Sequence, residues 1–381
     1  MQGIYIHIPF CRKACYYCNF HFSTAIDTRK EMINAINKEI ELSSLSLLNE
    51  KNGLEIIETV YFGGGTPSLL SIIELETLLS ALKRNFQISS NCEITLEANP
   101  DDISAVQLSG WKKAGVNRLS IGIQSFKESD LDWMNRSHTK EQAMKSISLA
   151  QTAGFNNLSV DLIYGTPGLS DEEWKRNVDF VIENGIPHIA CYALTVEPKT
   201  ALQKMILLKK KSDVNTDDQA RQFSLIIQWM REAGYEHYEI SNFTKPGFRS
   251  RHNSGYWQGK KYSGFGPSGH SFDGKSRKWN VANNMLYIQS INENRIPFEE
   301  EKLTEADQLN EYIMTSLRTI EGMDLRLVEN NFSKIERNRI EDLSKKYVEA
   351  NMMTGNNDVL VLTDKGKLFA DGIAADLFQT T

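Results

Sequence analysis

The sequence predicts an α/β fold built on a parallel sheet. Short stretches rich in β-forming residues recur along the first half of the chain, and helical segments separate them at a spacing of roughly 30 to 40 residues. Polar or glycine-rich residues stand at the C-terminal end of nearly every stretch, which is where parallel α/β folds place their chemistry. Six such units can curl into a full or partial barrel, and an open doubly wound sheet is the structural alternative.

The order of the elements follows from local signals. Six strands are predicted, over residues 3–8, 58–65, 93–100, 118–126, 158–165 and 188–194. One connecting helix is predicted to begin at Thr139 and to end at Gly154. Another begins at a capping box of Ser170 with Glu173, presents one apolar face, and ends at Gly185. The coincidence of polar residues at the strand ends favours a partial barrel with a shared mouth.

The chain divides into three predicted regions, because 381 residues exceed the roughly 250 to 300 at which a single core stops growing. Residues 1–240 form the partial barrel of (β/α)6 type. Residues 241–297 form a connecting region that is rich in glycine and aromatic residues. Residues 298–381 form a helical domain, in which residues 359–373 resemble the strand, tight turn and helix that end a winged-helix module.

Composition limits the classes of partner. The net charge of −6 and the pI near 5.8 give no overall basic field, so nucleic acid is not an expected partner. No run of 18 apolar residues and no secretory signal pattern is found, so a cytoplasmic protein is expected and membrane association is not indicated. The odd count of five cysteines is not a disulfide framework. Oligomeric state, monomer or dimer, is left open.

Three cysteines lie within eight positions, in the stretch CRKACYYC. Cys11, Cys15 and Cys18 supply three thiolates, and a zinc site would need a fourth ligand from His7 or His21. The alternative is an iron–sulfur cluster held by three cysteines, whose fourth iron stays open for another ligand. The spacing alone leaves both readings open.

The CxxxCxYC motif beside the first strand resembles that of the radical S-adenosylmethionine (SAM) enzymes, with Tyr17 as the aromatic residue before the third cysteine. GGGTPS (63–68), directly after the second strand, is similar to the GGGTP element of the same family. The resemblance implies a [4Fe–4S] cluster on Cys11, Cys15 and Cys18, with SAM chelating the open iron. Glycine amides without side chains suit close approach to a ligand, and the resemblance places Gly64, Gly65 and Thr66 at the methionine moiety.

Further positions match a subgroup that is related to oxygen-independent coproporphyrinogen III oxidase. That resemblance implies SAM contacts from residues with suitable chemistry: Tyr5, Glu97 in EANP, Gln124 in GIQSF, Arg136 in MNRSH and Asp161 in DLIYGTPG. Carboxylates accept hydrogen bonds from ribose hydroxyls or an amino group, and an arginine pairs with a carboxylate.

Two features distinguish members of this subgroup. The decarboxylase motif continues to a fourth cysteine after a sizeable N-terminal arm, whereas this sequence has Phe20 at that position and reaches Cys11 almost at once. HNSGYW (252–257) matches the HNxxYW motif of HemW-type heme chaperones. The resemblance implies binding of heme and delivery to an acceptor hemoprotein, without coproporphyrinogen oxidase activity. The alternatives are an oxygen-independent coproporphyrinogen III dehydrogenase and a radical SAM reaction on an unrelated substrate.

His252 is the predicted heme contact within HNSGYW, because a heme needs an axial donor and flat apolar walls, and Tyr256 and Trp257 supply such walls. The alternative is that His252 forms hydrogen bonds within a packed aromatic turn. His237 and His270 are other candidate donors. Cys92 and Cys191, far from the cysteine trio, are expected to be small buried apolar residues.

Overall fold

A computed structural model describes residues 2–48 and 56–380. Six parallel strands lie side by side in chain order at the centre of its main sheet: β1 (Gln2–Ile8), β2 (Ile57–Gly64), β3 (Ile88–Ala98), β4 (Arg118–Gln124), β5 (Asn157–Tyr164) and β6 (His188–Ala193). Each confirms a predicted strand, although β3 begins at Ile88 instead of residue 93. The strands are buried at most positions, as parallel sheets covered on both faces require.

Helices separate the strands in the predicted order: α1 (Arg29–Leu48), α2 (Ile72–Asn85), α3 (Ala105–Ala114), α4 (Glu128–Met134), α5 (Lys140–Thr152) and α6 (Asp171–Glu183). The predicted capping boxes at the starts of α5 and α6 are both formed. Gly154 and Gly185, with φ of 80° and 65°, follow the ends of these two helices. The apolar face of α6 is buried, with Trp174 fully enclosed.

Further strands extend this sheet at both edges. Beyond β6 the chain adds α7 (Ala201–Leu207), α8 (Thr216–Glu232) and the antiparallel strands β7 (Glu236–Glu239) and β8 (Asn242–Thr244). Beyond β1 it adds α9 (Arg251–Trp257), β9 (Tyr262–Phe265), β10 (His270–Phe272), β11 (Ser276–Asn280), α10 (Asn284–Asn292) and β12 (Phe298–Lys302). The strand order is β12-β11-β10-β9-β1-β2-β3-β4-β5-β6-β8-β7.

The region predicted as a connection, residues 241–297, is therefore integrated into the main sheet. It contributes strands at both edges, and β9 pairs in parallel with β1. The predicted boundary at residue 297 falls just before β12, and β12 pairs along its whole length with β11. The sheet thus continues to Lys302, because a short strand can be recognised as part of a sheet only once its partner is known.

The C-terminal region is helical, as predicted, and has its own small apolar core. Its elements are α11 (Glu305–Leu317), β13 (Met323–Asp324), α12 (Leu325–Asn331), α13 (Lys334–Glu349), β14 (Met353–Asn356), β15 (Val359–Leu362), α14 (Asp364–Lys367) and α15 (Ala370–Leu377). The three strands pair antiparallel in the order β13-β15-β14. The helices α11 to α13 precede the hairpin of β14 and β15, which is the winged-helix-like order predicted from the sequence of residues 359–373. The buried residues of this region form a cluster separate from the core of the main sheet.

The C-terminal domain connects the two edges of the main sheet. At one edge Thr319 forms a β-bridge with Glu239, the last residue of the edge strand β7. At the other edge Glu311 of α11 forms an ion pair with Arg277 of β11, with a nitrogen–oxygen distance of 2.8 Å. Because the described strands leave the sheet unclosed, this domain spans the opening of a partial barrel.

Glu39 connects α1 to the part of the sheet beyond β1, residues 262–302, which we call the sheet extension. This carboxylate is 2% exposed and accepts hydrogen bonds from the Gly266 amide at 2.7 Å, the Asn280 side chain at 2.6 Å and the Tyr287 hydroxyl at 2.5 Å. Burial raises the pKa of Glu39 to about 7, and the three donors act in the opposite direction. The contact with Gly266 fixes the loop that leads into β10, whose first residue is His270.

Cys92 and Cys191 are buried, as the sequence predicts, and lie apart from the cysteine trio.

Within residues 2–48 and 56–380, no helix is both long and apolar enough to cross a membrane.

Candidate functional site

A cavity of about 480 Å³ opens at the C-terminal ends of the parallel strands. Of the thirteen predicted site residues, it is lined by eleven: Cys11, Cys15, Tyr17, Cys18, Gly64, Gly65, Thr66, Glu97, Gln124, Arg136 and Asp161. Because carboxyl ends of neighbouring parallel strands meet at one edge, residues far apart in sequence converge there. Tyr5 and His252 do not line this cavity. We call it the cluster cavity.

The loop after β1 presents the three thiols. The Cys11 amide donates to the Ser23 carbonyl at 3.0 Å, and the Cys18 amide donates to the Cys15 carbonyl at 3.3 Å. The Thr66 hydroxyl donates to Cys11 Sγ at 3.3 Å. All three cysteines are partly exposed, so their sulfurs are accessible from the cavity.

Contacts outside the cavity hold this loop in place. Arg12 donates two hydrogen bonds to Asp102, at 2.9 and 2.7 Å, although Arg12 itself is largely exposed. Asn135, directly after α4, donates from its side chain to the Ala14 carbonyl at 2.7 Å. The Tyr16 amide donates to the Met134 carbonyl at 3.1 Å. The loop conformation is thus set by two other segments of the chain, one at Asp102 and one at the end of α4.

Burial disfavours the thiolate form of Cys11 and Cys18. It raises the pKa of Cys11 to about 11, with smaller effects from the other two cysteines and an opposing effect from the Thr66 hydroxyl. The pKa of Cys18 is raised for the same principal reason. A bound metal reverses this preference, since coordination deprotonates a thiol outright. Among the described residues, no group of three or more His, Cys, Asp or Glu side chains is arranged to hold a single metal ion.

The glycine stretch after β2 packs its backbone against the strand that precedes the cysteines. The Gly65 amide donates to the Ile8 carbonyl at 2.9 Å, and the Thr66 amide donates to the Phe10 carbonyl at 2.7 Å. A Cβ at Gly65 would lie 2.6 Å from the Phe10 carbonyl oxygen. Gly64 has a φ of 103°, which L-residues rarely adopt. Only glycine fits at these two positions, and we call residues 64–66 the glycine cradle.

Arg136 is a partly buried cation in the wall of the cavity. It donates to the Asn99 side chain at 2.8 Å and to the Gly122 carbonyl at 2.6 Å, and it lies 3.4 Å from Cys15 Sγ. Its Nε is buried and has no hydrogen-bond partner within the described part of the chain. A buried donor without a partner is costly, so a ligand carboxylate next to it would be favoured. Tyr17, whose hydroxyl lies 3.5 Å from the guanidinium, packs behind it.

Two carboxylates face the same space. Glu97 accepts a hydrogen bond from the Tyr61 hydroxyl at 2.7 Å, and Asp161 accepts one from Ser120 at 3.1 Å. Burial raises the pKa of Glu97 to about 7 and the pKa of Asp161 to about 6. These shifts make the protonated form more common near neutral pH, and a bound ammonium group beside either carboxyl would favour the charged, accepting form again. Gln124 adds an amide from a strained backbone, with a φ of 70°.

A second cavity, of about 870 Å³, adjoins the first, and Asn19 and Phe20 line both. It lies between β1, α9, the sheet extension and the C-terminal domain. Tyr5 lines this second cavity. Aromatic side chains dominate its walls: Phe20, Tyr256, Trp257, Tyr262, Phe272 and Tyr312. We call it the aromatic cavity.

His252 lies behind the wall of the aromatic cavity and does not line it. The side chain is 3% exposed, with Nδ1 2.8 Å from the Thr59 hydroxyl and Nε2 2.7 Å from the Tyr256 hydroxyl. Its ring also stacks on Tyr61 at a centroid distance of 5.0 Å. In this arrangement His252 has the packed, hydrogen-bonded role that the sequence left as the alternative to heme ligation, and axial ligation by this residue stays a prediction.

Comparison with known proteins gives matches over nearly the whole chain. Residues 5–181 match the Radical SAM superfamily, and residues 303–369 match the HemN C-terminal domain. The chain is 31% identical to the heme chaperone HemW of Bacillus subtilis over 98% of both chains. It is 33% identical to the heme chaperone HemW of Mycobacterium tuberculosis, over 98% of this chain and 94% of the relative. The chain belongs to the HemW family.

The fold of this HemW-family chain resembles that of a solved radical SAM enzyme. Coproporphyrinogen III oxidase (HemN) from Escherichia coli superimposes with a TM-score of 0.85 over 99% of this chain and 90% of that chain, at 22% identity. This likeness confirms the predicted α/β architecture with its helical C-terminal region. The radical SAM family implies a [4Fe–4S] cluster and SAM. Three accessible thiols, the unpartnered Arg136 nitrogen and the glycine cradle fit that pair of groups.

Some residues of the HemW-family site were missed from the sequence. Asn99 anchors the Arg136 guanidinium, and its position in EANP, two residues after Glu97, was a usable signal. Arg118, at the start of β4, lines neither cavity, but its charge lowers the pKa of both Glu97 and Asp161. It is 1% exposed, and its Nε and Nη1 have no partner within the described residues. A charged residue at a strand start normally predicts exposure, so nothing in the sequence marks it as buried.

Proposed function

We propose that this protein is a heme chaperone that binds a [4Fe–4S] cluster, SAM and heme, and delivers heme to an acceptor hemoprotein. The observation that carries the proposal is identity above 30%, over nearly the whole length, to relatives that are named heme chaperones. The two adjoining cavities support it, because each offers side chains suited to one class of ligand.

In the proposed complex, the cluster cavity holds the cluster and SAM. Cys11, Cys15 and Cys18 hold three irons, and the Gly64 to Thr66 cradle and Arg136 receive the methionine part of SAM. Glu97 and Asp161 accept hydrogen bonds from its amino group or ribose hydroxyls. When bound, the cluster supplies one-electron chemistry to the SAM sulfonium. The buried residues of the wall, such as Thr66 and Gln124, keep water away from one side of that contact.

Phe20 argues for the chaperone over the decarboxylase. The decarboxylase pattern has a fourth cysteine at this position, whereas here an apolar ring, 66% exposed, lines both cavities. An exposed aromatic ring at the entrance of an aromatic cavity suits contact with a flat macrocycle. HNSGYW places Tyr256 and Trp257 in the wall of the same cavity.

The proposal is tested on one anaerobically reconstituted sample with two assays. Titration with hemin, followed by absorption, is expected to saturate at about one heme per chain, since one cavity has suitable walls. Incubation of the same sample with coproporphyrinogen III, SAM and a reductant is expected to give no protoporphyrinogen IX. Turnover without stable heme binding would overturn the proposal in favour of the coproporphyrinogen III dehydrogenase. SAM cleavage at a rate that neither hemin nor coproporphyrinogen III changes would indicate another substrate.

A further inference from the structure

The aromatic cavity has the dimensions and walls of a site for a large flat ligand. Its volume of about 870 Å³ lies within the 300 to 1,000 Å³ that is usual for ligand pockets. Polar side chains line it together with the aromatic rings, and two of them, His270 and Arg277, come from the neighbouring strands β10 and β11. A pocket that combines aromatic walls with placed polar groups suits a cofactor that is flat and carries charged substituents.

The hydrogen bonds of the seven histidines distinguish one of them. In six, Nε2 lies within hydrogen-bond distance of another group: His7, His21, His138, His188, His237 and His252. His270 is exposed, and neither of its ring nitrogens has a hydrogen-bond partner within the described part of the chain. A free imidazole nitrogen at the wall of a cavity is what axial ligation of heme iron requires.

The backbone around His270 is well fixed. His270 pairs with Trp279 across β10 and β11, and the two rings stack with a centroid distance of 6.2 Å. The Gly264 amide donates to the neighbouring Ser271 hydroxyl at 2.8 Å. Gly264 itself leaves no room for a Cβ against the His270 backbone. The imidazole is therefore presented from a strand whose position is set on both sides.

Arg277 supplies a cationic group to the same cavity. It pairs with Glu311 of the C-terminal domain at 2.8 Å, and its side chain is 40% exposed. Its Nε is buried without a partner among the residues that the structure describes. A guanidinium with an unused donor suits a carboxylate, and heme carries two propionates.

We infer that heme binds in the aromatic cavity with His270 as an axial ligand and Arg277 as the partner of a propionate. This inference rests on the proposed function, because it assumes that heme is the cargo. Tyr256 and Tyr262, whose rings meet edge to face at 4.7 Å, form part of the wall against the macrocycle. His252 is a positioning residue, which holds the Tyr256 hydroxyl from behind.

Hemin titrations of four full-length variants test the ligand. His270→Ala is expected to shift the Soret band and to weaken binding by at least about tenfold, since it removes an iron–nitrogen bond. Imidazole added to His270→Gly is expected to restore the wild-type band. His21→Ala, which removes another imidazole that lines the cavity, is the matched control and is expected to keep the wild-type band. His252→Ala is expected to keep the band position while affinity falls.

Arg277 is tested with two forms of the ligand. Arg277→Gln is expected to weaken hemin binding by about tenfold, because it removes the ion pair with a propionate. Binding of heme dimethyl ester is expected to stay unchanged, because the ester has no carboxylate with which Arg277 could pair. A wild-type band in His270→Ala together with its loss in His252→Ala would overturn the inference and assign ligation to His252. Equal weakening of both ligands in Arg277→Gln would overturn the propionate contact. Failure of the wild-type chain to bind hemin would instead contradict the proposed function.

Discussion

Replacement of Cys11, Cys15 and Cys18 together by alanine is expected to abolish iron binding. Anaerobic reconstitution of the wild-type protein should give about four irons and four sulfides per chain, and the triple variant should give about none. The physical reason is that these three thiols line the cluster cavity at the end of β1, while the other two cysteines are buried elsewhere. Iron and acid-labile sulfide analysis, with the absorption spectrum of the cluster, provides the measurement.

Cys92→Ala is the matched control for this experiment. Cys92 is 5% exposed on β3, does not line the cluster cavity, and its replacement leaves the trio intact. This variant is expected to reconstitute like the wild type. A triple variant that still holds about four irons per chain would show that other ligands bind the cluster.

Gly65→Ala is expected to disrupt the cluster cavity strongly, although it adds only one methyl group. The added Cβ would lie 2.6 Å from the Phe10 carbonyl oxygen and 2.7 Å from the Ile8 carbonyl oxygen. Both oxygens accept hydrogen bonds that fix the glycine stretch to the cysteine loop. Overpacking against backbone costs about 1–3 kcal/mol or more, and the backbone must move away. SAM affinity, measured by equilibrium dialysis on reconstituted protein, should fall by at least about tenfold.

Gly372→Ala controls for the loss of a glycine in general. Gly372 lies in α15, where an added Cβ meets nothing within 4 Å. Alanine in a helix is favoured over glycine by roughly 0.5–1 kcal/mol, so this variant should be at least as stable as the wild type and should bind SAM equally well. Unchanged SAM affinity in Gly65→Ala would mean that the ligand does not use this cradle.

The positions that were predictable from the sequence are those with a local cause. The capping boxes of α5 and α6 lie within four residues of sequence, and the apolar stretches of β1 to β6 specify buried strands without reference to the rest of the chain. The cysteine motif and the glycine stretch follow directly after strands, so their convergence follows from the rule that parallel strands end at one edge. Eleven of the thirteen predicted site residues line one cavity for this reason.

The positions that were not predictable depend on contacts between distant segments. From the sequence, Glu39 is expected to be an exposed charge on the surface of α1. It is instead buried, and its hydrogen-bond donors lie more than 200 residues away in the sequence. The enclosure of His252 depends on Thr59 of β2. The exposure of His270 depends on the pairing of β9, β10 and β11, which are short strands with weak sequence signals. Such pairing decides which histidine faces the aromatic cavity.

The central claim is that one chain holds SAM and heme in two separate cavities. The most direct test is a hemin titration of reconstituted protein that has been loaded with isotopically labelled SAM, with retained SAM counted at each step. The account predicts that about one heme binds per chain while the labelled SAM stays bound, because Phe20 and Asn19 separate the two sites. Release of one SAM for each heme bound would contradict it and would place both ligands in the cluster cavity.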